Sequence, residues 1–125
     1  MSVLVDSSVW IDYFCGTGSA SELDFLIDEN LVVVNDLILA ELLPALHLRR
    51  QRKLINLLKE IARSPIHVDW DDIVQMQITC LRNGINKVGI ADLIIAQHAM
   101  QNGLELFSHD KHFAQLSRHV PLALH

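Results

Sequence analysis

The stretch VLVDSSVWIDYF, Val3 to Phe14, is three apolar residues, an acid, a pair of serines and an amphipathic run. Val3–Val5 is short and mostly β-branched and reads as a strand, while Ser7–Phe14 reads as a helix. A strand that is apolar at every position is built to be buried on both faces. A parallel sheet covered by helices does that; a half-exposed antiparallel sheet does not. The same alternation continues along the chain. Leu31–Val34, Ile66–Val68, Leu104–Phe107 and Val120–Leu124 read as further strands. Between them, Ser21–Glu29 reads as a helix, separated from the first by the CGTG break. A helix from Leu37 takes Asp36 as N-cap, with Pro44 marking a kink or a restart, and Arg49–Arg63 continues as an amphipathic helix. Asp71 or Asp72 caps a helix running to Arg82 and ended by Asn83–Gly84; Ile90–Gln101 follows and stops at Asn102–Gly103. Strands separated by helices predict an α/β fold, a three-layer α/β/α sandwich around a parallel sheet.

A length of 125 residues, half of them hydrophobic and 20% charged, predicts one folded domain over 1–125 rather than a disordered chain. The net charge of −5 gives no general attraction for nucleic acid, so any phosphate chemistry must depend on local charge or on a bound metal. Cys15 and Cys80 lie far apart and in no CxxC or CxxH pattern, which argues against zinc and for reduced thiols in a cytoplasmic setting. The N-terminus shows no signal-peptide pattern, and no apolar run is long enough to span a bilayer.

Four acids stand where acids are expensive. In GIADLIIAQHAM, Gly89 to Met100, Asp92 falls in line with Ile95, Ala96 and Ala99, opposite a polar face of Gln97, His98 and Gln101. Glu41 has Leu37, Ile38, Pro44 and Ala45 as its helical neighbours. Asp6 directly follows the first strand, and Asp110 follows LELF after Ser108 and His109. The latter two therefore sit beyond the carboxyl ends of strands, where α/β sheets bind ligands. Each acid alone has a local explanation: Asp6 and Asp110 as N-caps, Asp92 in a first helical turn, any of them beside a buried arginine. Yet the basic residues cluster at Arg49–Lys53, with only Lys87 and Lys111 near the acids in sequence. Carboxylates gathered in one place repel unless protonated or bound to a cation, and an all-oxygen set suits Mg²⁺ or Mn²⁺.

Four blocks together, VLVDSSVWIDYF, NDLILAELL, GIADLIIAQHA and LELFSHDKHF, resemble the PIN-domain ribonucleases, and most of all the toxins of VapBC-type toxin–antitoxin pairs. The resemblance spans essentially the whole chain in the family's order and spacing. It implies a five-stranded parallel sheet in order 3-2-1-4-5, a metal-dependent endoribonuclease activity on RNA, and neutralisation by a small antitoxin protein. The family's acidic quartet falls on Asp6, Glu41, Asp92 and Asp110, and its hydroxyl positions fall on Ser8 and Ser108. Some members carry a further Asp two residues after the last acid, where this chain has His112; the resemblance thus implies a first metal but not a second.

The chemistry suits the residues in its own right. Phosphodiester hydrolysis needs an activated water and a stabilised leaving oxygen, which Mg²⁺ or Mn²⁺ can supply. Asp6, Glu41 and Asp92 would hold the metal, Asp110 would complete the site or position water, and Ser8 and Ser108 would orient water or phosphate, unless they are simply caps. His47–Lys53 could track an RNA backbone, form a solvated helix face or contact the antitoxin. Asp12 reads as a surface pair, and Trp10, Tyr13 and Phe14 as core or interface. A transition-metal cluster of His98, His109 and His112 is disfavoured by the polar helix face on which His98 falls. A homodimer is expected from the apolar content. Two other readings are a catalytically silent PIN-like binding module and a phosphoacceptor receiver domain with Asp69 as acceptor. The receiver reading lacks a second acid after the first strand and a lysine after the last.

Overall fold

Valine-rich triplets make the sheet. The structure, a computed structural model, describes residues 2–17 and 20–125. Its elements are β1 (Val3–Val5), α1 (Ser7–Phe14), α2 (Ala20–Asp28), β2 (Val32–Val34), α3 (Asp36–Leu48), α4 (Arg52–Glu60), β3 (Ala62–Arg63), α5 (Trp70–Arg82), α6 (Ile90–Gln101), β4 (Glu105–Phe107) and α7 (Lys111–Leu116). The sheet is parallel throughout, in the order β3-β2-β1-β4. Val3 pairs with Val32 on one side and with Glu105 on the other, and Val5 pairs with Phe107. Successive strand residues point to opposite faces, and Val3, Leu4 and Val5 are all buried, so helices cover both sides of β1. Trp10 and Phe113 are among the largest fully buried side chains of the surrounding core. This is the α/β architecture expected, and it sets the receiver reading aside. A receiver sheet places its third strand beside the first, whereas here β4 does so and Asp69 caps α5.

Two strands differ from expectation. The third is Ala62–Arg63, not Ile66–Val68. Its last ladder bond runs from the Ser64 N–H to the Val34 carbonyl (2.9 Å), and Pro65, with no N–H to donate, ends the pairing. The fifth shrinks to a single parallel bridge between Leu106 and Leu124. Its position beside β4 agrees with the order 3-2-1-4-5. Pro121 and a tight Leu122 N–H to Val120 carbonyl bond (2.8 Å) keep the preceding residues out of the ladder.

The helix boundaries shift for equally local reasons. Asn35, not Asp36, caps α3, its side-chain oxygen accepting from the Ile38 N–H at 2.8 Å. Pro44 lies inside α3 without breaking it. The break comes at Arg50, whose φ of 55° opens a turn closed by the Gln51 N–H on the Leu46 carbonyl. Arg49–Arg63 is therefore not one helix. Asp69, not Asp71 or Asp72, caps α5. The largest difference is on α6. Gln97 and His98, expected on a solvent-facing polar face, are buried, because the segment leading into α5 lies across that face. The Gln97 amide accepts from the Asp69 N–H and donates to the Asp69 carbonyl and the Asp72 carboxylate. No helix of the described residues is long and apolar enough to cross a membrane.

Candidate metal site

The parallel pairing of β1 with β4 brings the ends of both strands together. Asp6 follows β1, caps α1 and is only 5% exposed. Its backbone N–H donates to the Phe107 carbonyl (2.9 Å), which ties the end of β1 to the end of β4. Its Oδ2 accepts from the Ser8 hydroxyl (2.8 Å), the Ser108 hydroxyl (2.9 Å) and, weakly, the Ser8 N–H (3.4 Å). All of these bonds fall on one oxygen, and among the described residues Oδ1 takes none. The serines are themselves held: Ser8 Oγ accepts from the His109 N–H and Ser108 Oγ from the Asp110 N–H, both at 3.0 Å. The two sequence-predicted hydroxyls thus fix the orientation of Asp6.

Asp110 caps the short α7, accepting from the His112 N–H at 2.9 Å. Asp92 lies in the first turn of α6, where the Gly89 backbone favours its ionised form. The local explanations for Asp6, Asp92 and Asp110 therefore hold as far as they go. They do not explain the convergence. Single ligand atoms of Asp92, Asp110 and His112 all lie within 4.8 Å of one another. Burial pushes the Asp92 carboxyl above its ordinary range, the charges of Asp110 and Asp6 push it further, and the Gly89 bond and His112 offset only part. Glu41 stands mid-helix on α3, with no capping role open to it. It is exposed as a residue rather than enclosed by its apolar neighbours. Partial burial of its carboxyl, then Asp6 and Asp92, raise its pKa as well. Glu41 on α3 thus feels Asp6 and Asp92, and Asp92 on α6 feels Asp110 and Asp6.

Other residues fall outside this cluster. His98 is buried between Asn35 and Ser64, with both ring nitrogens engaged, rather than on a solvent-facing polar face. His109 turns away to pair with Asp12 (Nδ1 to Oδ2, 2.5 Å) and packs edge-on against Phe107. The pair expected of Asp12 is thus with a residue of the site's own loop. His47–Lys53 is exposed throughout. His112 lies beside Asp92 and Asp110, although sequence reasoning gave it only as a departure from the family pattern and as part of a disfavoured histidine cluster; its spacing from Asp110 on α7 was the available signal. Beside Glu41, an apolar groove of ≈ 110 Å³ between α1 and α3 is lined by Ile11, Phe14, Leu42 and Leu46, with Arg49 also in its wall.

Residues 3–119 match the family profile described as PIN domain. No curated protein matches the chain. Among solved structures, the VapBC2 complex of Rickettsia felis bound to a fragment of its promoter DNA is similar with a TM-score of 0.78 and 18% identity, covering 100% of this chain and 98% of that one. The DNA-bound VapBC of Salmonella typhimurium gives a TM-score of 0.75 at 15% identity, covering 100% and 97%. VapC20 of Mycobacterium tuberculosis, described as a toxin that cleaves the sarcin–ricin loop, gives 0.62 at 16%, covering 91% and 94%.

Proposed function

This chain belongs to the PIN-domain family, and from that premise we propose that it is a divalent-metal-dependent endoribonuclease, the toxin half of a toxin–antitoxin pair, acting in the cytoplasm as a single PIN domain. What supports the reading is the grouping of Asp92, Asp110 and His112 within 4.8 Å of one another, together with the charges of Asp6 and Asp92 acting on Glu41 and those of Asp110 and Asp6 acting on Asp92. The residues present fit a hard cation. Their donors are carboxylate oxygens, Asp6 Oδ1 is left open, and two of the acids carry raised pKa values that a bound cation would lower. Asp6, Glu41, Asp92 and Asp110 would hold Mg²⁺ or Mn²⁺. When bound, such an ion supplies Lewis acidity toward a phosphate and acidifies water. The chain's own residues would do the rest: Ser8 and Ser108 hold Asp6 in one rotamer, and Asp110 would complete the site or position the attacking water.

The test is cleavage of a defined RNA by the purified protein with Mg²⁺ or Mn²⁺ and with chelator. Cleavage that needs the metal supports the reading, and a protein inert with either ion is the silent module instead. Metal binding has its own readout. A ligand bound only by the native state stabilises it, so millimolar Mg²⁺ or Mn²⁺ should raise the melting temperature, and much less so in Asp92→Asn. The pH sign follows from the raised acids. Metal-free, the fold holds protons that the unfolded chain has released, so its stability rises as pH falls from neutral through the raised pKa values. The metal-induced rise in melting temperature should shrink over the same range, as protons compete for the ligands. Equal metal responses in wild type and Asp92→Asn would remove Asp92 from the site.

The antitoxin assignment is supported by the complexes that the similar structures describe, and by the groove beside Glu41, which suits an apolar antitoxin segment ending on the acids. A homodimer is supported by Trp70, Val74 and Leu81, which leave large apolar surface exposed along α5. Sedimentation well above micromolar concentration should show a dimer that Trp70→Glu weakens. A wild type that stays monomeric there rules the dimer out.

A further inference from the structure

We infer that His112 is a direct nitrogen ligand of the divalent ion, so that this site is a mixed carboxylate–imidazole centre with a marked preference for Mn²⁺ over Mg²⁺. The inference rests on the metal-site reading above and deepens it. The His112 ring and the carboxylates of Asp92 and Asp110 each offer one atom within 4.8 Å of the others, a cluster compact enough to surround one ion. His112 Nδ1 stands 2.9 Å from Asp110 Oδ1. Without metal this is the distance of a direct ion pair; two ligand atoms about 2.1 Å from one ion and at right angles to each other also stand roughly 3 Å apart, so an ion could replace the Nδ1 proton with little movement. The ring is also held in place. The His112 N–H is fixed on the same Asp110 oxygen in the first turn of α7, and the side chain is 23% exposed. A neutral imidazole can bind through the Nδ1 lone pair with its proton on Nε2.

Chemistry then sets the preference. Imidazole is a softer donor than carboxylate and adds no negative charge. It favours Mn²⁺ and later transition ions over Mg²⁺, which dehydrates reluctantly and prefers oxygen. His109, the neighbouring histidine, is engaged with Asp12 and offers no comparable approach.

Pulsed electron paramagnetic resonance of Mn²⁺ bound to the purified protein tests this directly, because a directly bonded ring nitrogen couples to the electron spin. The expected result is such a coupling in wild type and in His109→Ala, and its loss in His112→Ala and His112→Asp. Calorimetric titration should show His112→Ala losing about tenfold or more in Mn²⁺ affinity, the loss that outer partners alone can give, with a smaller loss for Mg²⁺. His112→Asp should keep binding but move its preference toward Mg²⁺. Wild type that binds Mn²⁺ without the nitrogen coupling, or a coupling that survives in His112→Ala, overturns the inference and leaves the carboxylate site standing. Wild type that binds neither ion removes the metal-site reading itself.

Discussion

Asp6→Asn should reduce RNA cleavage more than about 100-fold, beyond what loss of an outer partner usually costs a metal site, while the protein keeps its fold. The substitution is clean for a structural reason. Asn is as good an N-cap as Asp, so α1 keeps its start. The amide oxygen can still accept the Ser8 and Ser108 hydroxyls that now meet Oδ2. The amide nitrogen then takes the place of Oδ1, the oxygen left open, and presents hydrogens where a cation would sit. Asp92→Asn and Glu41→Gln should behave alike, because each removes a carboxyl whose pKa is raised by burial and by neighbouring acids. Without metal, each variant should melt no lower than wild type, since a repulsion has been removed. Rates under matched Mn²⁺, read beside melting curves, decide the matter. Near wild-type cleavage by any of the three would show that its acid has no part in the chemistry, and a variant that fails to fold would show a structural acid instead.

The sequence was most legible where a local pattern and its tertiary setting agree. β1, α1 and α6 fall at the expected residues because an all-apolar triplet, an acid cap and a helix stopped at Asn102–Gly103 each signal one thing. That Asp6 and Asp110 lie at one edge was legible for a topological reason: strand ends of a parallel sheet share an edge. What escaped depends on partners distant in sequence. Periodicity separated a polar from an apolar face on α6, but it could not show that the segment leading into α5 covers the polar one. Gln97 and His98 were therefore read as solvated when they are buried and bonded. The third strand was placed on the β-branched Ile66–Val68, whereas the missing N–H of Pro65 confines pairing to Ala62–Arg63. Glu41 was expected inside or at a rim from its neighbours, and it is exposed. His112 looked like the loss of a ligand, because residue type was weighed before reach.

Asn35→Ala should cost about 2–4 kcal/mol, from a lost cap and a buried ring nitrogen left unpaired, which lowers the melting temperature by on the order of 10 °C. Asn35 is completely buried, and its side-chain oxygen is spent on the Ile38 N–H. Its amide nitrogen must therefore donate to His98 Nδ1, 2.7 Å away, which leaves the His98 proton on Nε2 facing Ser64 Oγ at 2.9 Å. This chain of bonds accepts only neutral histidine, since a proton on Nδ1 would confront the Asn35 amide hydrogens. Burial first, and His67 second, hold the His98 pKa below its ordinary 6.5. The sign follows. Above about 6.5 His98 is neutral in both states and costs nothing; as pH falls below that value the unfolded chain takes up a proton that the fold refuses, and stability drops until the folded pKa is passed. Glu41 and Asp92 act in the opposite sense in the metal-free protein, so wild type must be compared with His98→Gln, which keeps those acids and cannot titrate. The gap between the two stability curves should widen against wild type from pH 7.5 to 5.5. Parallel curves would mean that His98 does not titrate in the unfolding equilibrium. The consequence reaches the metal site, because the network joins the start of α3 to α6, and these helices carry Glu41 and Asp92. Asn35→Ala should therefore weaken Mn²⁺ binding even at temperatures where it remains folded, while a surface cap such as Asp69→Ala should not.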